Sequence, residues 1–152
     1  MEISLPLDSD GFLRRECPHC EQEFKWHDGP ANDQAEQQPH SDTFYCPICG
    51  EPAGPDSWWT QTQLDLIDNA TERHVGQELG DMFKGLERST RSNKFVKFKA
   101  DRVNMPDPAD PLVEPDDMTI VTSPCHAWEP VKISEGHVNA VHCIVCGVAF
   151  AV

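Results

Sequence analysis

Three C-x-x-C motifs constrain this chain more than any other feature of its sequence. The first two are Cys17-Pro18-His19-Cys20 and Cys46-Pro47-Ile48-Cys49, and the third is Cys143-Ile144-Val145-Cys146. A C-x-x-C turn directs both of its sulfur atoms to one side, so two such turns can enclose one tetrahedral metal ion. The spacing therefore predicts a metal site with four ligands: Cys17, Cys20, Cys46 and Cys49.

The third motif and the remaining cysteine, Cys125, predict a second metal site. Its fourth ligand is one of three histidines: His126, His137 or His142. On a strand, His142 would point away from its neighbour Cys143, because successive side chains face opposite sides. A turn after Pro124 would bring His126 to the same side as Cys125, so His126 is favoured over His137. The predicted second set is Cys125, His126, Cys143 and Cys146.

The composition favours a metal-stabilised protein over one with a single large core. Hydrophobic residues make up 38% of the 152 residues, and bound metal can offset a small apolar core. The seven cysteines are an odd number, which argues against a disulfide framework. We expect a reducing, cytoplasmic location, because residues 1–8 lack the basic and apolar segments of a signal peptide. No run approaches 18 apolar residues, so no membrane contact is expected.

The middle of the chain combines a predicted helix with a basic segment. The helix is expected to begin near Asp56, Ser57 or Thr60, and glycines at 76 and 80 mark where it would break. Residues 84–102 carry seven basic and two acidic side chains, in a chain of net charge −14. Within them, alternation over 94–99 predicts a strand. Its lysines would either pair with the protein's own acidic segment at 107–117, which is favoured, or contact nucleic acid: Lys94, Lys97 and Lys99.

The cysteine motifs resemble those of the zinc-ribbon class, in which each half carries a C-P-x-C knuckle on a hairpin. The half from Tyr45 to Gly50 also resembles a rubredoxin knuckle, which would hold iron, although Glu21 stands where that family has glycine in the first half. The resemblance covers residues 12–50, with a second ribbon-like unit at 119–152. It implies zinc in both sites, with iron in the first site as the alternative.

These features predict a small, metal-stabilised α+β protein with two zinc-ribbon-like β modules. The predicted segments are an N-terminal ribbon at 1–56, a helix and basic strand at 57–103, an acidic proline-rich linker at 104–117, and a C-terminal ribbon-like module at 118–152. We expect no enzymatic activity, because no glycine-rich phosphate loop and no nucleophile free of metal duty is present. The expected function is a zinc-binding adaptor for a protein partner, in an assembly that handles nucleic acid. The alternatives are rubredoxin-like electron transfer and a zinc-thiolate redox switch.

Overall fold

A computed structural model describes residues 1–152, which divide into two compact units. The ribbon unit comprises Leu5–Gln61 and Leu112–Val152, and the helical unit comprises Met1–Ser4 and Thr62–Pro111. The division differs from the predicted segments, because both cysteine-rich regions belong to the same unit. The chain is a small α+β protein with antiparallel sheets, one long helix and two cysteine clusters.

The ribbon unit contains one four-stranded antiparallel sheet and two smaller sheets. The larger sheet has the order β1-β2-β6-β5, from the strands Leu13–Glu16 (β1), Glu23–Trp26 (β2), Met118–Val121 (β5) and Val131–Ser134 (β6). The smaller sheets pair Phe44–Tyr45 (β3) with Pro52–Ala53 (β4), and Val141–His142 (β7) with Ala149–Phe150 (β8). Every cysteine motif therefore follows the first strand of a two-stranded hairpin. A four-residue helix, Asp33–Glu36 (α1), lies in the loop between β2 and β3.

The pairing of β2 with β6 unites the N-terminal and C-terminal ribbons in one sheet. Lys25 pairs with Lys132 and Trp26 pairs with Val131. The sequence predicted separate modules at 1–56 and 118–152, whereas the structure has a shared sheet. An isolated two-stranded hairpin is marginally stable in water, and joining two hairpins edge to edge satisfies the backbone groups of both inner strands.

One face of the sheet packs against the first cysteine cluster and a buried tryptophan. Phe24 and Trp58 are fully buried, and their ring centroids lie 5.7 Å apart in an edge-on arrangement. Val131 and Ile144, which come from the C-terminal segment, belong to the same hydrophobic core. The backbone N–H of Glu16 donates to the carbonyl of Trp58 at 3.0 Å, which fixes the segment before the long helix against β1.

The opposite face of the sheet carries a buried network of charges. The side chains of Lys25 and Lys132 are 0% and 3% exposed, and they lie side by side in the register. Both ammonium groups contact Oδ2 of Asp8, at 3.3 Å and 2.7 Å respectively, and that carboxylate is fully buried. Lys25 also pairs with Glu114 at 2.9 Å and donates to the carbonyl of Pro115. Two adjacent buried lysines require such partners, because an unpaired buried charge is strongly destabilising.

The acidic segment predicted as a linker at 104–117 belongs partly to each unit. In the ribbon unit, Arg14 pairs with Glu114 and Asp117, each at 2.8 Å. In the helical unit, the backbone of residues 106–109 lies along the long helix, where Asn69 donates to the carbonyl of Asp107 at 2.9 Å. Glu114 and Asp117 therefore pair with Arg14 and Lys25 of the sheet, whereas Asp116 accepts from Ser9. The favoured prediction paired the acidic segment with the basic one, and for Glu114 and Asp117 it was wrong.

The long helix, Gln61–Thr90 (α2), is continuous and spans 30 residues. It begins directly after Thr60, and it does not break at either glycine. Gly76 is buried because Met105 packs over it, and a Cβ at that position would lie 2.6 Å from Cγ of Met105. The glycine therefore permits close packing inside the helical unit. No helix of the structure is both long enough and apolar enough to cross a membrane.

The strand predicted over residues 94–99 is absent, since this segment has no hydrogen-bonded strand partner. The backbone instead turns at Asn93, whose Oδ1 accepts from the N–H of Phe95 at 2.9 Å. Phe98 then packs against Phe83 of α2, with ring centroids 5.9 Å apart. The alternating pattern of the sequence was misleading, because a strand requires an available sheet edge as well as alternation.

Candidate metal centres

The structure brings the four cysteines of the first predicted site together. Their four sulfur atoms all lie within 4.8 Å of one another. Sγ of Cys17 is 3.7 Å from Sγ of Cys49, and Sγ of Cys20 is 3.8 Å from Sγ of Cys46. Sulfur atoms placed about 2.3 Å from a central ion would form a tetrahedron with edges of about 3.8 Å. The spacing therefore fits a tetrahedral thiolate site.

Backbone N–H groups of each knuckle point at the first sulfur of that knuckle. Sγ of Cys17 accepts from the N–H groups of His19 and Cys20 at 3.3 Å and 3.5 Å. Sγ of Cys46 accepts from those of Ile48 and Cys49 at 3.3 Å and 3.4 Å. Such donors stabilise a thiolate, which is the form of cysteine that binds metal.

The two knuckles of the first site end in a left-handed backbone conformation, but with different residues. Gly50 has φ +76°, and Glu21 has φ +57° at the corresponding place. In the first knuckle the N–H of Glu21 donates to the carbonyl of Cys17, and in the second the N–H of Gly50 donates to that of Cys46. The chain thus forms the same turn without glycine at Glu21, at a cost of about 1 kcal/mol.

The second predicted site is also assembled, with His126 as its fourth member. Sγ of Cys125 is 3.6 Å from Sγ of Cys146, and Nδ1 of His126 is 3.3 Å from Sγ of Cys143. All four ligand atoms lie within 4.8 Å of one another. In the first site Cys17 lies next to Cys49, and Cys20 lies next to Cys46. Cys143 and Cys146 correspond to Cys46 and Cys49, so Nδ1 of His126 occupies the place that Sγ of Cys20 has in the first site.

The two other candidate histidines lie outside the second cluster. Nε2 of His137 lies 3.5 Å from the carbonyl oxygen of Ala140, in the turn between β6 and β7. The ring of His142 packs against Gly50 of the first site. Its position agrees with the argument that a strand residue beside Cys143 faces away from the sulfur atoms.

Ser123 supports the second cluster, although the sequence did not single it out. Its hydroxyl oxygen accepts from the N–H of His126 at 3.1 Å and lies 3.3 Å from Sγ of Cys143. Trp128 adds an edge-on contact with the ring of His126, at a centroid distance of 4.9 Å. The turn Ser123–His126 thereby holds the histidine ring toward the cluster, as outer partners of metal ligands commonly do.

The two sites are joined through a reciprocal contact of their second knuckles. The N–H of Tyr45 donates to the carbonyl of Ile144 at 2.9 Å, and the N–H of His142 donates to that of Pro47 at 2.8 Å. Tyr45 and His142 occupy the same place in each knuckle, directly before its first cysteine. The contact is therefore nearly two-fold symmetric, and it connects one knuckle of the first cluster directly to one knuckle of the second.

The electrostatics of both clusters favour a bound cation. Burial and the neighbouring sulfurs of Cys17 and Cys49 together raise the pKa of Cys20 to about 11. Burial likewise raises the pKa of Cys146 to about 11, together with the sulfurs of Cys125 and Cys143. A metal cation lowers the pKa of its cysteine ligands, because it neutralises adjacent thiolates. The two tetrads can therefore each hold a metal ion.

A cleft of about 450 Å³ opens in the ribbon unit beside these clusters. Aromatic side chains form much of its wall, and its lining also includes four carboxylates, two histidines and one guanidinium. The aromatic residues are Trp26, Phe44, Trp59 and Trp128. Sequence analysis missed the cleft, because its lining comes from five separated segments of the chain. The Trp58-Trp59 pair was its only local signal, and of the two only Trp59 lines the cleft.

Two charged residues of the cleft are incompletely paired. The side chain of Arg15 is 7% exposed, its nearest carboxylate oxygen is Oδ1 of Asp28 at 3.4 Å, and its Nε has no hydrogen-bond partner. Its guanidinium carbon lies 4.9 Å from the ring centroid of Trp59. Burial raises the pKa of Glu129, whose carboxylate accepts from Nε1 of Trp26 at 2.6 Å and has no cationic partner.

Comparison with models of protein families, with curated proteins and with solved structures finds no match for this chain.

Proposed function

We propose that this protein is a non-catalytic zinc-binding adaptor, in which two zinc ions hold together a surface for a protein partner. The closed ligand sets support this proposal most directly, because each cluster supplies four protein ligands at tetrahedral spacing. Structural zinc sites have four protein ligands, whereas catalytic zinc sites leave one position for water. The metal then contributes folding free energy and no chemical step.

The chemistry of the ligands favours zinc over iron. The second set contains three cysteines and one histidine, a common combination for structural zinc. The first set of four cysteines accepts either zinc or iron. Iron there would support electron transfer, and it would give the protein a visible absorption that zinc does not have.

Metal analysis of the purified chain tests the structural role. We expect two zinc ions per chain, no visible absorption, and loss of the folded circular dichroism signal after removal of zinc with a strong chelator. Iron with visible absorption would replace the adaptor proposal with electron transfer. A chain that keeps its fold after complete metal removal would contradict a structural role for the metal.

The aromatic cleft supports the adaptor part of the proposal. Tryptophan faces attract cations, and the half-buried carboxylate of Glu129 lacks a cationic partner. Arg15 already lies over Trp59, which shows that a cation fits against this wall. A basic segment of a partner protein would place a lysine or arginine side chain near Glu129. A carbonyl of that segment would be available to the guanidinium of Arg15.

Tryptophan fluorescence gives a direct test, because three of the four tryptophans line the cleft. We expect lysine-rich and arginine-rich peptides to change the emission saturably, and matched glutamate-rich peptides to have no effect. Trp128→Ala should lower the affinity for the basic peptides at least tenfold. The control Val138→Ala, at an exposed position outside the cleft, should leave that affinity unchanged. Equal responses to basic and acidic peptides would exclude the cleft as this binding site.

Nucleic acid is the second proposed partner, supported by the exposure of the whole segment 94–99. Phe95 is 95% exposed between lysines, so its ring is available for stacking on a base. Replacing Lys94, Lys97 and Lys99 with alanine should lower affinity for a single-stranded oligonucleotide and flatten its salt dependence. An unchanged affinity and slope would remove this partner from consideration.

A further inference from the structure

The guanidinium of Arg15 is a buried cation in the wall of the aromatic cleft, and the chain gives it only one weak partner. Its side chain is 7% exposed, and it makes one hydrogen bond, from Nη2 to Oδ1 of Asp28 at 3.4 Å. Nε is buried and donates to no acceptor. Asp28 is 73% exposed, and exposed carboxylates stabilise an ion pair little. A buried cation with so little compensation is costly, which indicates that a ligand completes its pairing.

The carboxylate of Glu129, which also lacks an oppositely charged partner, lies one tryptophan away from Arg15. In the register of β1 and β2, Leu13 pairs with Trp26, so Arg15 and Trp26 are diagonal neighbours on the same face of the sheet. Nε1 of Trp26 donates to Oε1 of Glu129 at 2.6 Å. Arg15 and Glu129 both line the cleft. A cation and an anion are therefore available to one small ligand.

The charges of the cleft indicate what kind of ligand would pair with Arg15. Its lining contains one guanidinium and four carboxylates, which are Asp28, Glu36, Asp56 and Glu129. A phosphate group would bring a charge of about −2 beside these carboxylates and would be repelled. A single carboxylate is favoured if the same ligand also carries a cation, because the cation can contact Glu129 and the tryptophan faces. The ligand that fits therefore has one negative and one positive group.

We propose that the cleft binds the carboxyl terminus of a partner protein whose last residue is lysine or arginine. The terminal carboxylate pairs with the guanidinium of Arg15, and the basic side chain of the same residue lies against the tryptophans and reaches Glu129. This inference rests on the proposed adaptor function, and it adds that the bound segment is the end of a chain.

A chain end suits this cleft better than an internal basic segment. An internal segment offers Arg15 a neutral carbonyl, whereas a terminus offers a carboxylate, which pairs with a guanidinium through two parallel hydrogen bonds. The volume of about 450 Å³ is within the range of small-ligand sites, about 300–1,000 Å³, and it holds a terminal residue without requiring a long groove.

Calorimetric titration of the zinc-loaded, full-length protein with two peptides tests the proposal. Both are the acetylated tripeptide alanyl-alanyl-lysine, one with a free carboxylate and the other with a terminal amide. We expect the carboxylate form to bind at least tenfold more tightly. The protein has a net charge of −14, so non-specific attraction favours the amide, which carries one more positive charge. Equal or weaker binding of the carboxylate form would overturn the proposal.

Substitution of Arg15 assigns the preference for the carboxylate form to its guanidinium. Arg15→Gln should reduce that preference to less than twofold. Lys84→Gln is the matched control, because it removes the same charge from an exposed position of α2 and should leave the preference unchanged. Circular dichroism should show the same secondary structure in both variants. A preference that survives in a folded Arg15→Gln protein would contradict the assignment.

Substitution of Asp28 gives a second arm that leaves the buried side chain in place. Asp28→Asn removes the carboxylate that competes for Nη2 of Arg15, so the preference for the carboxylate form should rise at least threefold. Glu36→Gln removes another carboxylate of the cleft that is not a partner of Arg15, and it should change the preference less. An equal effect of the two substitutions would count against pairing of the ligand with Arg15.

The outcomes separate this inference from the proposed function. If both peptides bind equally and Trp128→Ala weakens both, the cleft binds basic segments without selecting chain ends, and this inference alone fails. If neither peptide binds, the cleft is not the partner site, and both proposals fail there. Norleucine in place of the terminal lysine should lower affinity at least tenfold, and unchanged affinity would remove the role of Glu129. Free lysine that binds as tightly as the peptide would assign the cleft to an amino acid and overturn the inference.

Discussion

The ring of His142 lies against Gly50, with its Cδ2 atom 2.7 Å from the position that a Cβ at residue 50 would occupy. The converse contact places Cδ1 of Tyr45 2.7 Å from the position of a Cβ at Gly147. The knuckles at Cys46–Cys49 and Cys143–Cys146 thus each end in a glycine that contacts the aromatic ring preceding the other knuckle. Both glycines have φ +76°, so the backbone conformation and the close contact with the ring both require glycine at these positions.

Gly50→Ala should destabilise the protein by about 2 kcal/mol or more, because it combines a left-handed backbone with displacement of the partly buried ring of His142. Urea unfolding with zinc in excess measures the change. Gly136→Ala is the control, since no atom lies within 4 Å of a Cβ at that position. If both substitutions have the same effect, the contact between the knuckles does not contribute to stability.

Loss of one metal site should weaken the other, because the reciprocal hydrogen bonds connect their second knuckles. Cys46→Ser/Cys49→Ser should remove the first metal and lower the zinc affinity of the second site by about tenfold or more. Competition with a coloured chelator measures that affinity. His19→Ala alters the first knuckle without removing a ligand, and it should leave both sites intact. Unchanged affinity in the double variant would show that the sites are independent.

His126 should be replaceable by cysteine but not by alanine. Nδ1 of His126 occupies the place of a cysteine sulfur in the first cluster, so His126→Cys should retain two metal ions per chain. His126→Ala should retain one, as measured by elemental analysis. His137→Ala is the control and should retain two, because its ring lies away from the cluster. Loss of one metal from His137→Ala instead would reassign the fourth ligand.

The six clustered cysteines of the C-x-x-C motifs could be predicted from the sequence because that spacing determines the geometry of a knuckle locally, and His126 could be predicted from the turn after Pro124. The sheet that joins the two ribbons could not be predicted from the sequence. Lys25 and Lys132 occupy ordinary polar positions of alternating strands, and nothing in either segment shows that they become neighbours. Their burial depends on Asp8 and on Glu114, which are remote in the sequence and reach the lysines only in the folded chain.

The apolar side chains of α2 show a different limit of sequence analysis. The sequence predicted this helix, and a helix of a globular protein usually buries its apolar face, here with Leu79 and Met82. Its apolar side chains are exposed all the same, because periodicity identifies a face without identifying what covers it. Similarly, the alternation at 94–99 described a strand-compatible segment that has no sheet edge to join.

Asp8→Asn should destabilise the fold by on the order of 3 kcal/mol at neutral pH, because it leaves two buried lysines without a shared counter-charge. Asp10→Asn is the matched control: it also removes a partner of Lys132, but its side chain is 54% exposed, and the change should be much smaller. Urea unfolding of the zinc-loaded proteins measures both. An equal effect of the two substitutions would show that burial of Asp8 is not important.

The stabilisation from Asp8 should be lost in acid. Burial raises the pKa of this carboxyl, but hydrogen bonds from Lys132, Phe12 and Lys25 outweigh it and lower the pKa from 3.8 to about 2. A carboxyl with a lowered pKa stabilises the fold above its unfolded-state pKa, by about 2 kcal/mol here, and loses that contribution as pH falls toward 2. The test compares the unfolding free energy of the wild type with that of Asp8→Asn at each pH, because the effect of metal release is common to both and cancels in the difference. This difference in unfolding free energy should become smaller below pH 4. A constant difference would contradict this assignment.

The pairing of β2 with β6 has a consequence for the order in which this protein can be made. During synthesis the first four cysteines emerge early, and they can capture a metal ion while the remaining two-thirds of the chain is still untranslated. The inner edge of β2 then has no partner until β6 leaves the ribosome, and Lys25 has neither Glu114 nor its neighbouring lysine. Nascent chains should therefore pass through a metal-loaded state with an unpaired strand edge, which closes only when β6 becomes available.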